Sequence, residues 1–537
     1  MNFNFSNKCC VLIIIAAIAA AALRLPHLEQ RPMHTDEAVN ADKFGRLLED
    51  GSYRYNPEEF HGPTLNFLTL IPAWLGSEQK LSDVSEFTLR IVPVFFGLLV
   101  ILLLLLLADG LGTPATIMAA VLTAVSPAFV FYSRYYIHEI LLVFFSFGVI
   151  ASAYRYIRDR KIMWALLTGM FLGLMHATKE TCIIALGSML STLVLTLMMQ
   201  HKKKGLLPHI RESIKASHIL VAITTAFFVS ALFTSSFLTN PGGIADSFRT
   251  YAVYLNRATE NQVHIHPWYY YLGMLTYFKV GSGPVWSEAF IIVLAFFGFI
   301  FAMTKRYTGS FNPLLIRFFA FYTLIMIVIY SAIPYKTPWS MLGFLHGMIV
   351  MAGFGSAVFL RIATNLWRKA VVVCVLLASV FSLTFQAYIG SFHLYADQRN
   401  PYVYAHTGKD IFTITQRIEQ ISSVHPDGRN MYIQLICTGD DYWPLPWYLR
   451  KFSTVSYQNK VEENLPSAPV IIASPALEKE LIRKLYELSP PGKKNLYVPL
   501  FDSQMELRPQ VELLGFVTKD LWDRFRQQAQ SGQTIKK

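Results

Sequence analysis

The chain has 537 residues, with 47 Lys plus Arg against 35 Asp plus Glu, a net charge of +12. Only 15% of residues are charged, while apolar residues reach 53% and aromatics 14%. These values exclude a disordered chain and a plain soluble enzyme and leave a polytopic membrane protein, whose basic excess needs no nucleic-acid partner because cytoplasmic loops collect Lys and Arg. The five cysteines, Cys9, Cys10, Cys182, Cys374 and Cys437, show no C-x-x-C spacing, so neither a zinc site nor a disulfide framework is expected.

A hydrocarbon core takes about 20 apolar residues per helix. Runs of that kind lie near 9–25, 87–107, 114–132, 137–154, 162–178, 181–199, 218–238, 285–303, 315–333, 339–360 and 370–390, which predicts about eleven spans. The first run has small-residue cleavage options, as a signal peptide would; its length favours an uncleaved anchor. One set of short loops carries Arg155, Arg158, Arg160 and Lys161, then Lys202, Lys203, Lys204, Arg211 and Lys215, then Lys305, Arg306 and Arg317, then Arg361, Arg368 and Lys369. The alternate short loops carry Arg134, Lys179 and Lys336. The positive-inside rule puts the first set in the cytoplasm, and the loops 26–86 and 239–284 and the tail outside a cytoplasmic membrane. Within the first loop, Pro63 to Gly76 is too short to span and is expected in the interface.

The domain reading is a transmembrane part, 1–390, and a small extracytoplasmic α/β part, 391–537. In the tail, Met431–Cys437, Pro469–Ser474, Leu496–Leu500 and Val511–Val517 read as strands. Pro475–Leu488 and Lys519–Gln528 read as helices, the former with Glu478, Lys479, Glu480, Arg483 and Lys484 on its wet side. Pro-Trp recurs at Pro267-Trp268, Pro338-Trp339 and Pro446-Trp447, at unequal spacing, so no internal repeat is inferred.

The first outer loop holds His34-Thr35-Asp36-Glu37. Adjacent carboxylates on a helix point about 100° apart, so one can face a cavity while the other pairs structurally. The plainer reading is that Thr35 or Asp36 caps a helix over Glu37–Leu48. Further on come Phe60-His61-Gly62-Pro63-Thr64-Leu65, Arg90 ahead of an apolar span, Ser133-Arg134 through Glu139, and Thr178-Lys179-Glu180. A lysine in an otherwise apolar turn is costly without an anion. Glu180 or Glu139 would supply one internally; a phosphate at the outer leaflet would supply one as ligand.

In order and spacing this set resembles the GT-C superfamily of glycosyltransferases, in the branch of protein O-mannosyltransferases and lipid A aminoarabinose transferases. That branch usually reads His-Pro-Pro-Leu or Lys-Pro-Pro-Leu where this chain has Gly62 in place of the first Pro. His266-Pro267-Trp268-Tyr269-Tyr270-Tyr271, Pro334-Tyr335-Lys336-Thr337-Pro338-Trp339 and Trp443-Pro444-Leu445-Pro446-Trp447-Tyr448 resemble a little-characterised prokaryotic subfamily of it. The resemblance covers about residues 10–450. It implies an α-helical polytopic membrane enzyme that moves a hexosyl or pentosyl group from a polyprenyl-phosphate sugar, at the outer face of the membrane, to a lipid, glycan or protein acceptor.

On that reading Asp36 is the base and Glu37 its neighbour in the catalytic motif. Lys179, Lys336, Arg134 and His61 meet the donor phosphate, with Glu139 and Glu180 orienting or pairing. Trp268, Tyr269 and Trp339 stack on sugar or isoprenoid, although aromatics are also simply common at the interface. His264 and His266 have metal-ligand spacing without a third ligand nearby in sequence, so a divalent metal is possible and no cofactor is certain. The alternatives are oligosaccharide transfer to protein, which the Trp443–Trp447 segment resembles, and a lipid-linked sugar transporter or flippase. A flippase would show matched broken helices in two halves, and none is seen. A structural or assembly subunit would not explain Asp36, Lys179 and Lys336 on one face.

Overall fold

The computed structural model describes residues 7–58, 61–200, 215–260, 264–309, 311–488 and 495–530. Phe60 of the second motif, and the loop residues Lys202, Lys203, Lys204 and Arg211, lie outside them. Each of the eleven apolar runs falls on a helix. Among the described residues eight helices are long and apolar enough to cross a membrane, from Asn7–Arg24 to Leu366–Phe392. Three runs form the shorter apolar helices Thr113–Val125, Ile162–His176 and Ala289–Met303. The first of these stops because Pro127 lacks a backbone N–H. Ser126 then caps a new helix, Pro127–Tyr132, by accepting from the Phe129 N–H. The chain is an integral membrane protein. The stretch expected in the interface is the helix Thr64–Leu75, whose far end leaves Ile71, Trp74 and Leu75 exposed.

Helices in lipid gain little from hiding apolar surface from one another, so close backbone approach matters more. The helices Ala289–Met303 and Leu342–Ile362 touch through glycines. A Cβ on Gly298 would stand 2.3 Å from the Met351 carbonyl oxygen, and one on Gly355 would stand 2.4 Å from that of Leu294. Gly169 and Gly173 bring Ile162–His176 onto Ala216–Thr234 in the same way.

Contacts divide the chain into two units. The first holds residues 1–28, 46–77 and 85–404; the second holds 29–45, 78–84 and 405–537. The second is built on a sheet of six strands: β1 (Ile433–Ile436), β2 (Val455–Gln458), β3 (Val470–Ala473), β4 (Tyr497–Pro499), β5 (Met505–Arg508) and β6 (Val511–Thr518). The order is β2-β1-β3-β6-β4, with β5 also paired to β6; β1 runs parallel to β2 and β3, and β6 antiparallel to β3, β4 and β5. Alternation along buried strands feeds two cores. Ile433, Leu435, Val470 and Ile472 pack with Ile411, Ile414, Ile418 and Ile421 of the helix Asp410–Val424. Ile436, Ile471 and Ala473 pack with Leu477, Leu481 and Leu485 on the other face.

The expected strands and helices of the tail are present, with two strands and the helix Asp410–Val424 in addition. One detail is corrected: Lys484 is buried, not wet, and its ammonium donates to the Glu462 carbonyl at 2.6 Å. Lys484 stands three residues after Leu481 and seven after Leu477, on the buried face of the helix, which widens to π geometry over Arg483–Leu488.

Candidate active site

The Asp-Glu motif lies in the second unit, at the start of the helix Thr35–Asp50. The cap is neither Thr35 nor Asp36. His34 Nδ1 accepts from the Asp36 N–H at 3.1 Å, and the His34 N–H donates to Glu37 Oε2 at 3.0 Å. This is a reciprocal capping box with histidine in the usual Ser/Thr place. Glu37 is wholly buried and paired with Arg31 at 2.9 Å, whereas the Asp36 side chain is 51% exposed. One carboxylate is therefore structural, and its neighbour is presented to solvent with the helix N-terminal amides behind it.

In the first unit, the second motif and the Thr178-Lys179-Glu180 turn are stitched together. The Gly62 N–H donates to the Thr178 carbonyl at 3.1 Å, and the Thr64 hydroxyl donates to that of Thr178 at 2.8 Å. A Cβ on residue 62 would stand 2.1 Å from the Ala177 carbonyl oxygen, so only glycine fits; a proline would also lose the N–H bond. Glu180 meets His61 Nδ1 at 2.9 Å. The His61 ring lies edge-on to His138, 5.2 Å between centroids, and His138 Nε2 donates to the Gly62 carbonyl at 3.0 Å. Burial, with the His61 ring and the Lys179 ammonium beside it, holds the His138 imidazole well below the ordinary histidine range. Lys179 pairs with Glu139 at 2.5 Å, both nearly buried. Burial alone would lower this ammonium, but Glu139 and Glu180 outweigh it and hold it above the usual lysine range. Lys179 thus has the internal partner that its burial demands.

Lys179 and Glu139 also line a cavity with Thr181, Tyr330, Trp339 and Ser340. It continues past Phe147, Ile150, Phe319 and Met326, with about 590 Å3 of empty space counting its open mouth. Trp339 is buried, packed edge-on against Tyr132 and Tyr404, while Trp268 and Tyr269 are more than half exposed.

Lys336 has a different setting. The segments around Ile265 and Tyr335 form an antiparallel bridge. Within it the buried Lys336 ammonium donates to the carbonyls of Ile333 and His266. Among the described residues no carboxylate pairs with it. Burial pushes this ammonium below the ordinary lysine range. His264 and His266 both meet the Tyr404 hydroxyl, at 2.6 and 2.9 Å, and the described residues contain no cluster of three His, Cys, Asp or Glu. The two histidines form a hydrogen-bonded cluster around that hydroxyl.

Arg134 departs from the phosphate role expected of it. Its guanidinium donates to the carbonyls of Arg24, Pro26 and His27 at 2.7–3.1 Å and covers the Phe392 ring. It closes the C-terminus of the first span, where a cation suits both the unpaired carbonyls and the helix dipole. Glu288 is a buried carboxylate that sequence reasoning missed. It accepts from the Ser126 hydroxyl at 2.6 Å, the Ala128 N–H at 3.0 Å and the Tyr402 hydroxyl at 2.7 Å. Its only sequence signal is a carboxylate near the start of the apolar run 285–303.

Residues 65–239 match the family described as dolichyl-phosphate-mannose-protein mannosyltransferase. Among curated proteins no match is found. Of solved structures, ArnT from Cupriavidus metallidurans in the apo state has a TM-score of 0.58 at 13% identity, over 94% of this chain and 97% of that one. The same protein bound to undecaprenyl phosphate gives 0.55 at 14%, over the same shares. The archaeal oligosaccharyltransferase AglB from Archaeoglobus fulgidus, in complex with an inhibitory peptide and a dolichol-phosphate, gives 0.58 at 12%, over 88% of this chain and 70% of that one. The chain shares the fold of these solved structures, as the resemblance to the GT-C superfamily implied.

Proposed function

With the GT-C fold as premise, we propose that this chain is an inverting glycosyltransferase using a polyprenyl-phosphate sugar, with its chemistry and its tail domain outside the cytoplasmic membrane. An acceptor hydroxyl attacks the anomeric carbon. The bond from that carbon to the phosphate oxygen breaks, and polyprenyl phosphate leaves with the electron pair. Asp36 takes the hydroxyl proton as the new bond forms. A single displacement with one working carboxylate inverts the anomeric centre. Cations stabilise the charge growing on the leaving phosphate, and we assign Lys336 to that task, with Lys179, which lines the cavity, beside it in role. Lipid, glycan and protein remain the acceptor classes, and hexosyl and pentosyl groups the sugar classes.

The observation that carries the reading is the Lys336 ammonium, buried and met by neutral carbonyls alone among the described residues. A buried cation without a counter-charge is expensive, and an anionic ligand removes the cost. The support from relatives is that ArnT has been solved with undecaprenyl phosphate and AglB with a dolichol-phosphate. The test is the binding of undecaprenyl phosphate to the purified chain in nanodiscs. Lys336→Met keeps most of the stem, so affinity should fall by about 2–3 kcal/mol, the worth of a charge-assisted hydrogen bond. Normal binding by a Lys336→Met protein of lowered thermal stability would make the lysine structural and end the assignment.

A further inference from the structure

Resting on the reading of Asp36 as base, we infer that Arg508, in the last quarter of the chain, is a positioning residue for Asp36. Arg508 ends β5, whose pairing with β6 fixes its backbone. Its guanidinium forks. Nη1 donates to the Thr35 hydroxyl at 3.2 Å and to the Trp443 carbonyl at 2.9 Å, and Nη2 pairs with the Asp441 carboxylate. Thr35 is the first residue of the helix and the one immediately before Asp36.

The rest of the segment is gripped from the same part of the sequence. The Met33 N–H donates to the Tyr448 hydroxyl at 2.8 Å, the Thr407 hydroxyl donates to the Met33 carbonyl at 2.7 Å, and the His34 ring stacks on His406 at 5.7 Å. Residues 33, 34 and 35 are therefore each held by the tail, while the Asp36 side chain itself is half exposed. A carboxylate on a free helix start would sweep with its backbone. A carboxylate whose preceding turn is clasped on three successive residues is fixed in direction without being covered. Arg508 is the charged member of the clasp, and only a planar fork reaches a hydroxyl, a carbonyl and a carboxylate together.

The test uses the full chain in nanodiscs. Release of polyprenyl phosphate is followed from polyprenyl phosphates carrying mannose, arabinose or aminoarabinose, with a total membrane extract supplying the lipid, glycan and protein hydroxyls that take up the sugar. Arg508→Met should lower kcat about 10- to 100-fold, the range expected when a reacting group is displaced by an ångström or less, with the donor KM unchanged. Arg508→Lys should recover part of the loss. Thr35→Val, which removes the hydroxyl and leaves Asp441 and Trp443 in place, should lower kcat in the same direction. In an Asp36→Asn background Arg508→Met should cost nothing further, because the group it positions is already disabled. Amide exchange over residues 33–38 should quicken in Arg508→Met and not in Arg508→Lys. Full kcat in Arg508→Met and Thr35→Val beside a dead Asp36→Asn overturns the inference and leaves the base intact. So does a loss in Arg508→Met that multiplies undiminished in the Asp36→Asn background. An active Asp36→Asn, or a parent chain that releases none from any donor, overturns the reading beneath it.

Discussion

Asp36 and Glu37 share a motif but not a task. Glu37 is spent on Arg31 and on the His34 N–H, in full burial; Asp36 is left facing outward. Their substitutions should separate accordingly. Asp36→Asn keeps size and removes basicity, so turnover should fall roughly 100-fold or more while undecaprenyl phosphate still binds. Turnover by the variant and binding by native mass spectrometry check both halves. Glu37→Gln breaks the buried ion pair with Arg31 by removing one of its charges, which costs about 3–5 kcal/mol. A thermal melt should show it, with turnover lost only as the protein unfolds. Lys336 adds a pH dependence. Its ammonium sits below the ordinary lysine range, so it sheds its proton at a lower pH than a solvated lysine. If phosphate binds the charged form, undecaprenyl phosphate affinity should weaken as pH rises toward the ordinary lysine range. Lys336→Met should abolish that slope, and a slope that survives in the variant would assign it to another group.

Much of this was legible. The Asp-Glu pair, the Lys179 turn and the isolated Lys336 stand out because charges amid apolar runs need a reason. Which carboxylate does what was not legible, since it depends on Arg31, His34 and residues some 400 positions away. Nor was the reason for Gly62. The departure from the Pro-Pro pattern reads as a weakness of the motif, yet it is required by the Ala177 carbonyl against which residue 62 lies.

At the scale of elements, apolar length located the helices but not their breaks, which come from single residues such as Pro127. The strands β2 and β5 escaped the sequence pattern because each has only four residues and carries polar side chains, Ser456 and Gln458 in one, Glu506 and Arg508 in the other. Lys484 was misplaced because its charge was read as wet, although its spacing from Leu477 and Leu481 puts it on the buried face. Two predictions belong here. Gly298→Val should force apart the helices Ala289–Met303 and Leu342–Ile362, since even a methyl would meet the Met351 carbonyl. A fall in thermal stability in detergent checks it, and an unchanged melt would mean that the crossing is looser than drawn. Glu288→Ala should strand the Ser126 hydroxyl, the Ala128 N–H and the Tyr402 hydroxyl, each at about 1–3 kcal/mol. Glu288→Gln keeps an acceptor and should cost less; a melt of both variants ranks them.

At the scale of the whole molecule, the Lys and Arg asymmetry of the short loops predicts the orientation by the positive-inside rule. A cysteine introduced at Gln527 should react with an impermeant thiol reagent in intact cells, or in spheroplasts where there is an outer membrane, above the level of the parent chain. Labelling that appears only after lysis would reverse the topology and put Asp36 on the wrong side for a lipid-linked donor.

The second unit joins residues 29–45 to 405–537, and this has a consequence for biosynthesis. The Asp36 segment is made several hundred residues before the groups that clasp it, from His406 to Arg508. Between them lie the residues of nearly every membrane helix. At ribosomal speeds of about 5–20 residues per second, that interval is roughly 20–70 s. During it the newborn motif has neither its stacking partner nor its arginine. A nascent chain arrested just before Arg508 would therefore carry these membrane helices and both lysines while Thr35 still lacked its arginine, and on the reading of Asp36 as base such a chain should turn over more slowly than one that extends past Arg508.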